Sequence, residues 1–121
     1  MKVEANKGLP EGKHTGTTVR IEEKDAKNKE GKPLGFKYLE LYVQPEGGAF
    51  DLKYSMPAKM NIASKLGRTC ALFMGRELRV DEEVDPAKVL VGKKCTFLTQ
   101  DEVTAKGTFS RIVEDSLKPL K

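Results

Sequence analysis

The residues able to do covalent chemistry are few in this 121-residue chain: one histidine, two cysteines and no tryptophan. His14 stands beside the first predicted strand; a Ser-His-Asp or Cys-His machinery would have to use it, and no serine sits in a nucleophile-elbow sequence. Cys70 and Cys95 are too far apart for a CxxC pair, and no Cys/His spacing suits zinc. The acid run Asp81-Glu82-Glu83-Val84-Asp85 lacks the calcium-loop pattern and reads as a solvated loop with a helix cap. Gly47-Gly48 lies between two strands with no helix behind it, so it is no phosphate loop. A small hydrolase using His14 and a glycosidase-type carboxylate pair are the catalytic arrangements left open. The expectation is a protein that is not an enzyme and uses no cofactor and no metal.

The residues able to bind are better represented. Tyr38 and Tyr42 fall on one face of an alternating run, opposite Leu39, Leu41 and Val43. Around them lie Arg20, Lys53 and the lysines of the 24–37 segment, Lys24, Lys27, Lys29, Lys32 and Lys37. Aromatic rings beside cations are what a single nucleic-acid strand requires: bases stack on rings and phosphates meet the cations. The competing expectation is that both tyrosines pack beneath the helix or a loop, with only their hydroxyls reaching solvent.

Five strands and one helix would position these groups. Thr15, Thr17, Val19 and Ile21 alternate within a first strand, 13–23. Residues 24–35 are polar and carry Gly31, Pro33 and Gly35, as a long loop would. Strand two covers 36–44, Pro45-Glu46-Gly47-Gly48 turns the chain, and Phe50, Leu52, Tyr54 and Met56 alternate in strand three. The period then changes. Ile62, Leu66, Cys70 and Phe73 share one helical face over 61–74, with Asn61 or Ser64 as cap and Gly75 closing the end. Gly67 inside that helix points to close packing. Asp85-Pro86 suits a capped helical turn, and strands follow at 93–100 and 108–114. In the last strand Phe109 and Ile112 cannot both face inward without a bulge. A bulge is the favoured resolution; without it, Phe109 and Arg111 extend the binding face, with Lys106 in the preceding loop.

The order β-β-β-α-β-β, with the helix between strands three and four, is that of the OB-fold, a mainly β five-stranded barrel. Gly12 and Gly16 would let a long first strand bend to serve both sides. Residues 1–11 read as a loose arm, 12–115 as the domain and 116–121 as a short tail.

Charge supports a polarised surface. The formal excess is only +4, but residues 52–76 hold five basic residues and no acid, while 77–85 hold five acids against one arginine. Such a basic face attracts phosphates at low salt. No apolar run nears the ~20 residues that span a bilayer, so no membrane partner is expected. The first residues lack a secretory pattern and both cysteines read as buried thiols, which together suggest a reducing, cytoplasmic setting.

Short phrases add a resemblance. Glu11-Gly12-Lys13-His14-Thr15-Gly16, Ser64-Lys65-Leu66-Gly67-Arg68, Leu90-Val91-Gly92-Lys93-Lys94 and Gly107-Thr108-Phe109-Ser110-Arg111-Ile112 resemble small OB-fold proteins of phages and archaea. The likeness implies the fold for residues 11 to 120. Some of those proteins are regarded as single-stranded DNA-binding proteins, so it also implies single-stranded DNA or RNA as partner. The chain departs from well-studied single-strand binders in lacking Trp and an acidic C-terminal tail. The alternative is an OB-fold module for protein interaction or assembly, with a homo-oligomer or a protein partner.

Overall fold

The computed structural model describes residues 11–48 and 50–120. The chain is mainly β. Its strands are β1 (Gly12–Lys27), β2 (Pro33–Pro45), β3 (Leu52–Pro57), β4 (Lys94–Thr104), β5 (Gly107–Ile112) and the two-residue β6 (Lys118–Pro119). Helix α1 (Lys65–Met74) and the one-turn α2 (Pro86–Leu90) lie between β3 and β4. All strands join one antiparallel sheet in the order β3-β2-β1-β4-β5, with β6 also on β4. The sheet is not closed by a ladder between β3 and β5. No described helix is long and apolar enough to cross a membrane.

β1 holds the sheet together because its two halves have different partners. Gly12–Thr17 pair with β4 and Gly16–Lys27 with β2. At the crossover a Cβ on Gly16 would lie 2.6 Å from the Gln44 carbonyl oxygen, so only glycine lets the strands approach this closely. One extra residue, Val19, then bulges out of the ladder. The simple alternation expected through Thr15, Thr17, Val19 and Ile21 therefore breaks: Val19 is exposed and Thr18 is fully buried. Thr18 is held by its surroundings. Its Oγ1 donates to the Leu90 carbonyl and accepts from the Lys93 amide at 2.9 Å. Its own amide donates to the Lys93 carbonyl at 2.9 Å.

The core is formed by the inward residues of β2 and β3 (Leu39, Leu41, Val43, Leu52, Tyr54, Met56), with Phe97, Cys95 and Ile112 from the other strands. Leu66 and Cys70 of α1 seal it from one side. Ser64 caps α1, its Oγ accepting from the Gly67 amide at 3.0 Å, and Gly75 ends it at φ 74°. Ile62 falls outside the helix and is exposed, because the chain before Ser64 is turned by Asn61, whose Oδ1 accepts from the Ala63 and Ser64 amides. Asp85 caps α2 with Pro86 at the first helical position, as the sequence pattern suggests.

Three segments differ from the expected pattern. Residues 24–35 are not a long loop: β1 runs on to Lys27 and β2 starts at Pro33, around a turn in which the Asn28 side chain accepts from the Glu30 and Lys32 amides. β4 likewise extends to Thr104, making a second projecting hairpin. Residues 116–120 are not a loose tail, since Leu117 is buried in the core and β6 pairs with β4. Of the expected N-terminal arm only Glu11 is among the described residues, and Lys121 of the tail lies outside them.

Candidate nucleic-acid interface

Antiparallel pairing sets the neighbours of Tyr38, Glu40 and Tyr42 on the outer side of β2. Lys24 of β1 lies opposite Tyr38, Glu22 opposite Glu40, and Arg20 opposite Tyr42; Lys53 of β3 faces Tyr42 from the other side. Directly paired residues share a face and approach within about 5 Å. The structure thus brings together Arg20, Tyr38, Tyr42 and Lys53, as the alternation predicts, and adds Lys24.

The face differs from the expected pair of open rings. Tyr42 is only 6 % exposed. The Arg20 guanidinium carbon stands 3.8 Å from its ring centroid, and the Lys53 ammonium stands 6.0 Å away. The Val19 bulge brings Arg20 into register with the ring, and the negative face of the ring attracts the cation. Arg20 is held in turn by Glu22 (Nε to Oε2, 3.1 Å) and by Asp51 (Nη1 to Oδ2, 3.3 Å). Tyr38 is half-buried, and Phe36, just beyond the Gly35 irregularity, is 56 % exposed.

Carboxylates balance the cations at the centre. Glu40, 5 % exposed, accepts a weak hydrogen bond from the Tyr42 hydroxyl at 3.4 Å and lies 3.6 Å from Lys24 and 3.5 Å from Lys53. Three cations (Arg20, Lys24, Lys53) thus meet three acids (Glu22, Glu40, Asp51). The hydrogen bond donated by Arg20 holds the Glu22 carboxyl below its usual range. The Tyr42 hydroxyl and the Glu40 carboxylate push the Lys24 ammonium upward. The formal charges of the six sum to zero. Free positive charge lies on the β1–β2 hairpin instead. Among the described residues Lys27 and Lys29 form no ion pair; Lys32 meets Glu30 at 3.9 Å and Lys37 meets Glu23 at 3.3 Å, both exposed pairs of small energy.

Lys106, Phe109 and Arg111 belong to a different place. Gly12 pairs with Thr99, and β4 continues past the start of β1, so the β4–β5 hairpin leaves from the opposite end of β1 to the lysine hairpin. The β4–β5 register is unbroken: Phe109 faces Glu102 and Arg111 faces Gln100. The favoured bulge is therefore absent. Phe109 points outward, 53 % exposed, and Ile112 alone turns in.

His14 is half-buried, its ring 6.0 Å from that of Phe97. Cys70 and Cys95 are unbridged and fully buried, and desolvation pushes both thiols up to about 11. Neither is a thiolate at neutral pH. Among the described residues no three His, Cys, Asp or Glu side chains gather as metal ligands. A separate apolar groove of about 1080 Å³ runs between α1 and β6, where Ile62, Leu72 and Leu120 are exposed near Arg68 and Lys118.

Alternation places Glu40 on the face with Tyr38 and Tyr42 but gives it no role there, and it does not reveal Glu22 and Asp51 as members. Register with β1 and β3, which alternation alone does not supply, was needed to see the partners of Glu40. Comparison with protein-family models and with curated proteins finds no match for this chain.

Proposed function

We propose that the chain is a non-enzymatic OB-fold module that binds a single nucleic-acid strand across the outer face of β1, β2 and β3. The fold reading is supported by the strand order, by the helix between β3 and β4, and by the approach of β3 to the chain after β5. There the Tyr54 hydroxyl accepts from the Asp115 amide at 3.0 Å, and Lys65 of α1 spans the gap, over the Tyr54 ring and 2.6 Å from Glu114. A barrel of this kind would have its β3–β5 seam joined by side chains.

The observation that carries the binding reading is the meeting of Tyr38, Tyr42 and Arg20 on one face, next to the lysines of the β1–β2 hairpin. Because the central charges cancel, phosphates would be met chiefly by Lys27, Lys29 and a third lysine of the hairpin. Three phosphates give a log-log salt slope of about −2 for a single strand. The test is a titration of a labelled single strand with wild type and with the Lys27→Ala/Lys29→Ala double variant. The slope should fall to about −0.7 in the variant, and Tyr38→Ala should weaken binding with no change in slope. An unchanged slope in the lysine variant would remove the hairpin from the site.

A protein-interaction module is the second reading, favoured by the apolar groove between α1 and β6. Its signature would be a stable oligomer or a co-purifying protein, together with nucleic-acid binding that disappears at moderate salt.

A further inference from the structure

We propose that the surface on which a base stacks is the Arg20 guanidinium, with Tyr42 as its support from beneath; this deepens the single-strand reading and rests on it. Arg20 is a poor candidate for a phosphate contact. Its Nε is used by Glu22 and its Nη1 by Asp51, and these two acids already offset its charge. What the side chain still offers is a flat, delocalised face. N–H donors lie in the guanidinium plane, so the two carboxylates hold that plane from its edges and leave the faces free. One face is against Tyr42, with the central carbon 3.8 Å from the ring centroid. The side chain nevertheless keeps 53 % of its exposure, while Tyr42 beneath is nearly sealed. An incoming ring therefore meets the guanidinium before it can meet the tyrosine.

Unpaired bases stack on Arg guanidinium planes as they do on aromatic rings. A guanidinium fixed on three sides loses little freedom when a base arrives, which favours binding. Each neighbour has a distinct part. Glu22 and Asp51 orient the fork, Tyr42 sets its height, and Glu40 pairs with Lys24 and with Lys53, whose ammonium stands 6.0 Å from the ring centroid. The face so built selects for a strand with exposed bases and offers nothing to a duplex whose bases are already stacked.

Arg20→Lys separates the two roles, because it keeps the charge and removes the plane. The experiment titrates a 2-aminopurine-labelled DNA single strand and an abasic strand of equal length, each over a range of salt. Wild type should quench the 2-aminopurine. Arg20→Lys should bind the base-containing strand on the order of tenfold more weakly, with the salt slope unchanged and the quenching lost. On the abasic strand the two proteins should bind alike. Asp51→Asn adds positive charge to the face but releases one edge of the fork; at moderate salt it should weaken binding to the base-containing strand. Circular dichroism of both variants checks that the fold is intact. Wild-type affinity in Arg20→Lys, or tighter binding by Asp51→Asn at that salt, overturns the platform and leaves single-strand binding standing. Failure of wild type to bind the base-containing strand overturns the single-strand reading and the platform with it.

Discussion

Replacing Gly67 by alanine should destabilise this protein, although the same change in an ordinary helix interior would stabilise it by up to about 1 kcal/mol. Gly67 lies in the first turn of α1, directly under the chain that enters the helix. A Cβ there would stand 1.7 Å from the Asn61 carbonyl oxygen and 2.8 Å from its carbon. Both are backbone atoms and cannot rotate away. To clear them, the 61–64 turn would have to move. That movement would strain the Asn61 carbonyl's contact with Ser64 Oγ (3.0 Å), the two amides held by Asn61 Oδ1, and the Ser64 cap on the Gly67 amide. Overpacking costs about 1–3 kcal/mol and a lost cap about 1 kcal/mol. Set against the propensity gain, the net loss is about 2 kcal/mol. For a domain of this size that lowers the melting temperature by roughly 6–10 °C. Urea unfolding followed by circular dichroism gives the same quantity as a lower midpoint with an unchanged slope. Gly67→Ala with equal or greater stability would mean that α1 does not begin against Asn61, and the placement of the helix would be wrong.

Two further changes probe separate parts of the fold. Thr18→Val preserves shape but leaves the Leu90 carbonyl and the Lys93 amide without their side-chain partner at a fully buried point; it should cost about 2 kcal/mol, read from the same urea transition, and a neutral result would dismiss the crossover lock. The Arg76 hydrogen bond and the Arg79 amide hold the Glu82 carboxyl down to about 2. Its folded value is below its ordinary one, so its contribution is present above about pH 4.5 and fades as pH falls toward 2. The stability difference between wild type and Glu82→Gln should therefore shrink across that window in thermal melts; a difference independent of pH would contradict the pairing.

How much of this was legible follows from what each segment must bury. β2, β3 and α1 each press one face on the core, so alternation or helical spacing marks them, and Leu39, Leu41, Val43, Leu52, Tyr54 and Met56 are buried as their parity demands. Of the two hairpin arms, 24–27 bury only Ala26 and 101–104 bury no residue. Lys24–Lys27 and Asp101–Thr104 are held by ladder hydrogen bonds, which any sequence can make, so composition reads them as loops. The Val19 bulge was hidden for a related reason: Thr18 is buried for its hydroxyl, which serves Leu90 and Lys93, and hydropathy does not record that. Leu117 was obscured by its lysine- and proline-bearing neighbours. At the candidate site, parity was enough to place Tyr38, Tyr42, Lys53 and Arg20 on one side. The covering of Tyr42 by Arg20, and the carboxylates that balance the face, depend on cross-strand register.

If the outer face takes a single strand through its bases, binding must persist when the phosphates are screened. The most direct measurement is fluorescence anisotropy of a labelled ~20-nucleotide single strand at low and moderate salt, with unlabelled duplex as competitor. Binding that survives moderate salt and is poorly displaced by duplex is the predicted result, because stacking does not depend on counterions. Equal, weak binding to both forms that vanishes with salt would contradict it and leave only a basic hairpin on a protein whose partner lies elsewhere.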